Sequence, residues 1–194
     1  MFHLSKIYTK TGDSGETGLG DGSRISKASL RIAAIGAVDE ANSAIGIARL
    51  HAEGDPDAML ARIQNDLFDL GADLSAPEDG RKAPSSDQRG RLRVSGAQVE
   101  RLEREIDAMN ENLSPLTSFV LPGGAALAAH LHLARAITRR AEAAMVALAA
   151  QEQINEAAVR YANRLSDHLF VMARTANDGG MGDVLWVPGG NRGL

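Results

Sequence analysis

Cysteine is absent from the 194-residue sequence, and aromatic residues make up only 4% of it. The missing thiols exclude disulfide bonds, a thiolate nucleophile, and zinc or iron–sulfur sites that depend on cysteine. Hydrophobic residues make up 44% of the chain and are mostly alanine, leucine, isoleucine and valine. This composition suits helix-on-helix packing better than a β-sandwich. The length is that of one domain with a sizeable core, so we expect residues 1–194 to form a single domain.

A strong charge of one sign and long apolar runs are also missing. The net charge of −4 gives no general attraction to nucleic acid or to an anionic membrane surface. No apolar run approaches the roughly 20 residues that cross a bilayer, and the N-terminus shows neither a secretory nor a transit pattern. We therefore expect a soluble cytoplasmic protein without nucleic-acid or membrane partners, in which any anion is bound by local positive charge.

Helical periodicity dominates the sequence. Apolar residues recur at helical spacing in five segments, at about residues 28–51, 55–74, 95–113, 127–150 and 155–178. Asp55 is predicted to cap the second helix and Asn155 the fifth, and Ser95 with Gln98 matches a capping box at the third. No convincing β-hairpin or long repeat is visible. The fold class expected is all-α, a five-helix up-and-down bundle.

The chain divides into three parts around this bundle. They are a glycine-rich N-terminal loop (residues 1–27), the helical bundle (28–178) and a C-terminal tail (179–194) that contains the only tryptophan, Trp186. The region between residues 75 and 95 is rich in proline, glycine, serine and charge, so we expect a long exposed connection there.

The fourth helix contains an unusual group of charges. Arg135, Arg139 and Glu142 fall within an arc of about 60° on one flank of its apolar seam. Two cations four residues apart repel each other unless an anion lies beside them. This spacing therefore indicates an anion-binding site that the helix alone does not complete.

The N-terminal loop is a second candidate for binding an anion. Residues 9–22 contain five glycines and four hydroxyl residues, which can bend backbone amides around a phosphate, with Lys10 as a point charge. The segment is neither a Walker A loop nor a Rossmann fingerprint. Composition alone favours a mobile surface loop. Composition likewise favours a solvated side chain for Asp39 over an ion-pair partner, and a core-filling role for Phe119.

Five short motifs in order give the chain a resemblance to a known family: Thr9–Asp13, Val38–Glu40, Phe119–Gly124, Arg135–Glu142 and Asn163–Asp167. With these motifs the chain resembles the propanediol-utilisation type of ATP:cob(I)alamin adenosyltransferase, or corrinoid adenosyltransferase. The resemblance extends from about residue 7 to about residue 186.

The resemblance implies a homotrimeric five-helix bundle in which ATP and a corrinoid share sites between adjacent subunits. The implied reaction moves the 5′-deoxyadenosyl group of ATP onto cobalt and releases triphosphate. Reduced Co(I) is the nucleophile, which agrees with the absence of cysteine. Mg²⁺ is expected to bridge triphosphate oxygens, with no metal site made by protein side chains. A reductase and a cobalamin-dependent enzyme are the implied partners.

The resemblance also assigns roles to individual residues, in place of the interpretations from composition. The implied catalytic residues are Arg135, Asp39, which would pair with Arg135 across the subunit interface, and Phe119, which would displace the lower axial base of the corrinoid. The implied nucleotide-binding residues are Thr9, Lys10, Thr11, Gly12, Thr17, Gly18, Lys27, Arg139, Arg140, Glu142 and Asn163. We expect the tail with Trp186 to close over the bound corrinoid.

Some positions depart from the pattern of the resembled family. Ala143 occupies a position where another arginine is common, and Ala162 replaces a larger apolar residue before Asn163. A non-catalytic corrinoid carrier is the alternative function. A ferritin-like metal bundle is disfavoured because paired Glu-x-x-His motifs are missing and because His130 and His132 lie on different sides of their helix.

Overall fold

The computed structural model describes residues 7–78 and 92–192. The elements, in chain order, are β1 (Glu16–Gly18), β2 (Arg24–Ser26), α1 (Leu30–Arg49), α2 (Asp55–Leu74), α3 (Gly96–Asn110), α4 (Ala126–Ala149) and α5 (Glu156–Ala176). The five-helix prediction is confirmed. Much of the predicted 75–95 connection, residues 79–91, lies outside the described residues, as do residues 1–6 and 193–194.

The helices begin close to the predicted positions because local capping directs them. Asn155 accepts a hydrogen bond from the Ala157 amide at 3.0 Å, and the Ser95 amide donates to the side chain of Gln98 at 2.9 Å, as in the predicted capping box. The prediction for α2 is wrong by one residue: Gly54 is its N-cap, and Asp55 is already helical.

The prediction of loop throughout residues 1–27, without a hairpin, is wrong for part of that segment. β1 and β2 pair as an antiparallel hairpin with Thr17 opposite Ile25. The carboxylate of Asp21 closes the turn, since it accepts from the Ser23 amide at 2.9 Å and from its hydroxyl at 2.6 Å. Strands of three residues are too short to show alternation in the sequence, so only the turn chemistry could have indicated the hairpin.

Spatial order in the bundle differs from chain order. α1 packs against α2 and α4, and α5 packs against α4 and α3. Alanines fill much of the α1–α4 contact, where Ala34, Ala41, Ala134 and Ala141 are buried. Small side chains let two helices approach closely. α1, α4 and α5 therefore form the interior of the bundle, and α2 and α3 lie outside them.

Buried polar side chains connect the outer helices to this interior. Asp66 on α2 accepts hydrogen bonds from Tyr161 of α5 at 2.8 Å and from Gln98 of α3 at 2.9 Å, and it forms an ion pair with Arg101. Burial raises the pKa of Tyr161 well above its ordinary value, and the Asp66 charge raises it further. Tyr161 therefore remains a neutral donor at physiological pH. Every helix among residues 7–78 and 92–192 is too short or too polar to span a lipid bilayer.

Candidate functional site

The Arg135 guanidinium on α4 lies half-buried, 5.3 Å from the centre of the Phe170 ring on α5. It makes no hydrogen bond or ion pair with any described residue. Burial lowers the pKa of Arg135 and the charge of Arg139 lowers it further, whereas Asp167 acts to raise it. The Arg139 charge thus acts on the pKa of Arg135 in the direction that the spacing predicts, and no carboxylate among the described residues bonds to Arg135.

The other predicted residues of α4 and α5 differ in their partners. Glu142 accepts a hydrogen bond from the side-chain amide of Asn163 at 2.7 Å, so the structure brings these two predicted residues together. Arg140 is exposed and forms an ion pair with Glu40 of α1. Arg139 is exposed and unpaired among the described residues. This exposed face can accept an anion without breaking the bundle core.

The N-terminal loop is held to the hairpin by backbone acceptors. Lys27 donates from Nζ to the carbonyl of Gly12 at 2.9 Å, and Arg24 donates to the carbonyl of Thr11 at 2.7 Å. A Cβ at position 12 would lie 2.9 Å from Lys27 Nζ, so a side chain there would push the lysine out of this contact. The structure therefore brings Lys27 to the loop that the resemblance assigns to phosphate binding.

The exposed end of the loop contains the predicted lysine. Lys10 has a positive φ of 61°, which is uncommon for a residue with a side chain, and its Nζ lies 6.0 Å from the centre of the Tyr8 ring. The hydroxyls of Thr9 and Thr11 are 2.9 Å apart. Residues held in such uncommon backbone conformations often occur in ligand-binding loops.

A cleft of about 610 Å³ lies between the hairpin, α1 and α2. Its lining includes Thr17, Gly18, Lys27 and Asp39, and also Asn42, which the sequence did not single out. The Asp39 carboxylate is exposed and has no partner among the described residues. The Oδ1 atom of Asn42 is buried and unpaired within the same part of the chain. The cleft therefore presents acceptors that one chain leaves unused.

Phe119 is not part of the core, so the interpretation of a core-filling residue is wrong. Its side chain is 76% exposed, and its ring centre lies 5.9 Å from that of Trp186 in the C-terminal tail, at an angle of 59°. A β-bridge between Val120 and Leu185 joins the two segments. An exposed aromatic pair on an ordered loop is suited to stacking against a flat ligand.

Apart from Phe119, which lies on the loop between α3 and α4, the predicted site residues form two groups within one chain. Among the described residues, no hydrogen bond or ion pair joins the N-terminal loop or Asp39 to Arg135, Arg139 or Asn163. The Arg140–Glu40 ion pair reaches only the residue next to Asp39. The first group lies on the hairpin and α1, and the second lies on α4 and α5.

His132 is a buried residue of this region that sequence analysis considered only as a metal ligand. It is 4% exposed, its Nε2 atom has no partner among the described residues, and its ring packs edge-on against Phe170 at 6.1 Å. Burial lowers the pKa of His132 from 6.5, and Arg135 lowers it further, whereas Asp183 acts to raise it. The folded protein therefore favours the neutral imidazole.

We expect the stability of the protein to fall as the pH drops through the ordinary histidine value of 6.5 towards the lower pKa of folded His132. The unfolded chain binds the proton more readily in this interval, so acid favours unfolding. His132→Phe should reduce the difference between the melting temperatures at about pH 7.5 and about pH 5.5. His51→Phe, at an exposed histidine, is the control. An unchanged difference in the His132 variant would contradict the argument.

Comparison with known proteins identifies the family of this fold and site. Residues 7–176 match the profile of the cobalamin adenosyltransferase family. The chain is 49% identical to a corrinoid adenosyltransferase of Mycobacterium leprae, over 97% of this chain and 98% of the relative. It is 50% identical to a cobalamin adenosyltransferase of Cupriavidus metallidurans, over 94% and 95% respectively.

A solved structure agrees with these sequence matches. A variant of a PduO-type ATP:corrinoid adenosyltransferase from Lactobacillus reuteri, complexed with cobalamin and ATP, superposes with a TM-score of 0.83 at 38% identity. The match covers 93% of this chain and 96% of the other. These matches in sequence and in fold show that the chain belongs to the cobalamin adenosyltransferase family.

Proposed function

We propose that the protein transfers the 5′-deoxyadenosyl group of ATP to the cobalt of a cob(I)alamin-type corrinoid. The electron pair of Co(I) attacks C5′, the C5′–O bond breaks, and triphosphate leaves with the bonding electrons. Adenosylcobalamin and triphosphate are the products. The observation on which the proposal depends is the Arg135–Arg139 pair, whose charges repel each other and have no bonded carboxylate among the described residues.

The protein's role in this chemistry is electrostatic and positional. Negative charge develops on the leaving triphosphate, and fixed cations lower the barrier when they are aimed at that charge in advance. Arg135, Arg139 and Lys10 supply such cations, and the hydroxyls of Thr9 and Thr11 add donors. The Asn163–Glu142 hydrogen bond holds two further polar groups for the nucleotide. No nucleophile from the protein is needed.

The remaining predicted nucleotide-binding residues would donate hydrogen bonds to the phosphates or let the backbone approach them closely. We place Gly12, Thr17, Gly18 and Lys27 along the phosphates, since the last three line one cleft and Gly12 is bonded to Lys27. Arg140 would exchange its exposed partner Glu40 for a phosphate oxygen.

Mg²⁺ fits this site through the nucleotide. Within residues 7–78 and 92–192 no three histidine, aspartate or glutamate side chains cluster as a metal site, and Mg²⁺ commonly binds through substrate phosphates and water. The Glu142 carboxylate would provide a protein oxygen. Bound Mg²⁺ would offset part of the triphosphate charge.

We propose that each complete site forms between two subunits of a homotrimer. Asp39 of one subunit would pair with Arg135 of the next, because neither side chain has a bonded partner among the residues that the structure describes. The same arrangement would bring the N-terminal loop to the α4–α5 group. This assembly is supported by the two groups of site residues, between which the described residues form no direct bond.

Phe119 would serve the corrinoid side of the site. An exposed ring placed against the lower face of the corrin would displace the axial base and leave four-coordinate Co(II), which is easier to reduce. A one-electron reductase would supply the electron that produces Co(I). A cobalamin-dependent enzyme would receive the product, and we place the reaction in the cytoplasm.

An anaerobic assay tests the proposal. The protein is mixed with ATP, Mg²⁺ and chemically reduced cobalamin, and the Co–C absorption spectrum and released triphosphate are followed. We expect both products in equal amounts. Corrinoid binding without either product would support the carrier alternative and overturn the proposed transfer.

We expect Asp39→Ala to lower turnover roughly 10- to 100-fold and to weaken the trimer, because removing the acid leaves the partly buried Arg135 charge unpaired at the interface. Turnover is measured in the same assay, and assembly by sedimentation velocity. Asp107→Ala, at another exposed acid without a side-chain partner, is the matched control. Normal assembly and normal turnover of the Asp39 variant would contradict the proposed ion pair between Asp39 and Arg135 across the interface.

A further inference from the structure

The loop between α3 and α4 holds Phe119 in place although it has no regular secondary structure. Its support comes from the C-terminal tail. The amide of Leu121 donates to the carbonyl of Val184 at 2.7 Å, and the amide of Trp186 donates to the carbonyl of Phe119 at 2.8 Å. The Phe119–Trp186 pair is therefore as well ordered as the tail itself.

Three polar side chains hold that tail, and we name them the polar clamp: Arg174, Asn177 and Asp183. Arg174 donates from Nε to Asp183 Oδ2 at 2.8 Å, and Asn177 donates from Nδ2 to Asp183 Oδ1 at 3.1 Å. Arg174 is 6% exposed and Asn177 is 3% exposed. Both carboxylate oxygens of Asp183 are thus bound by buried donors at the end of α5.

The same two donors hold both ends of the Phe119 loop. Arg174 donates to the carbonyl of Ser114 at 2.9 Å, at the start of the loop. At its other end, Asn177 Oδ1 accepts from the Ala125 amide at 2.9 Å. The polar clamp therefore binds the loop on both sides of Phe119, and it also binds the tail whose Trp186 ring packs against Phe119.

The backbone at Gly124 is shaped to this contact. Its φ is +94°, and a Cβ at that position would lie 2.1 Å from Asn177 Oδ1. Only glycine combines this backbone conformation with so close an approach. The contact with Asn177 thus explains why the second glycine of the Phe119–Gly124 motif is needed, which the motif alone does not show.

We infer that Arg174, Asn177 and Asp183 are positioning residues for the corrinoid side of the reaction. They act through Phe119 and Trp186 and do not themselves touch the reacting atoms. The inference rests on the proposed function, because it assigns the clamp a role in the Co(II) branch of that reaction. A misplacement of about 1 Å can cost about 100-fold in rate, so the loop's attachment matters as much as its aromatic ring.

Asp183→Ala and Asp183→Asn test the inference in the full-length protein. We expect Asp183→Ala to lower the rate from Co(II) with a one-electron reductant about tenfold or more, and the rate from pre-reduced Co(I) less than about twofold. Asp183→Asn keeps an acceptor for Arg174 and should show a smaller loss. Trp186 is the only tryptophan, so its emission should shift to longer wavelength and be quenched more readily by acrylamide as the tail loosens.

Glu152→Ala is the matched control. It removes the partner of Arg31, another buried arginine, which is 2% exposed and bonded to Glu152 at 2.6 Å. Glu152 precedes α5 and the clamp lies at the other end of that helix, whose 21 residues separate the two by about 30 Å. The control should lower stability and leave both the ratio of the two rates and the Trp186 emission unchanged.

The outcomes separate the inference from the proposed function. A folded Asp183→Ala variant with an unchanged rate ratio and unchanged Trp186 emission would overturn the clamp. If circular dichroism shows that this variant is unfolded, Asp183→Asn decides by the same two readouts. The unmodified protein could make no adenosylcobalamin from Co(I) while Asp183→Ala still changes the Trp186 emission. In that case the proposed function fails, and the structural role of the polar clamp is supported.

Discussion

Arg135→Ala should lower the rate of adenosyl transfer about 100- to 1000-fold, even when Co(I) is supplied ready-made. This is the range observed when one fixed donor is removed from a developing negative charge. The guanidinium has no hydrogen-bonded partner in the part of the chain that the structure describes. It lies over the Phe170 ring, which positions it without a hydrogen bond. Single-turnover kinetics with ATP in excess measure the loss.

Two further variants make this prediction specific. Arg135→Lys keeps the charge but loses the planar donor geometry, so we expect an intermediate rate. Arg104→Ala removes an exposed arginine of α3 that has no partner among the described residues, and the rate should remain normal. An Arg135→Ala variant within about threefold of the unmodified protein would contradict the assignment, because such a change is far below the loss of one fixed donor.

Phe119→Ala should separate the two halves of the reaction. We expect a loss of about 100-fold or more when the reaction starts from Co(II), and less than about tenfold from pre-reduced Co(I), because the ring acts on the axial base before reduction. Stability should change little, since the side chain is 76% exposed. Parallel anaerobic assays from the two oxidation states measure the ratio.

Leu50→Ala is the control for removing an exposed apolar side chain, since Leu50 is 80% exposed at the end of α1. Its rates from both oxidation states should match those of the unmodified protein. Equal losses from Co(II) and Co(I) in Phe119→Ala would show that the ring binds corrinoid generally and does not favour reduction.

The bundle could be predicted well because its signals are local. Ser95 with Gln98 and Asn155 mark helix starts through contacts within three residues, and the structure confirms both. The hairpin was not predicted, because its strands are only three residues long and its turn is closed by one carboxylate, that of Asp21. Local hydrogen bonds of this kind leave no periodic pattern.

The sequence indicated which residue types belong to the candidate site, but it did not indicate the contacts that hold the Phe119 loop in place. The spacing of Arg135 and Arg139 predicts a repulsion, and the charge of Arg139 acts to lower the pKa of Arg135 in the folded chain. The sequence analysis did not find the polar clamp. Its Asn177 binds Ala125, 52 residues away, and Asp183, 6 residues away. Neither spacing is periodic, and neither residue belongs to a recognisable cluster.

Composition, helical periodicity and ordered motifs were sufficient for the fold class and the family, because both depend on many weak signals repeated along the chain. The exposure of Phe119 at the tail, the attachment of its loop by Arg174 and Asn177, and the separation of the site residues into two groups within one chain required the folded structure. Each depends on a few contacts between distant residues, and the free energy of such contacts is set by packing and burial, which have no counterpart in the linear sequence.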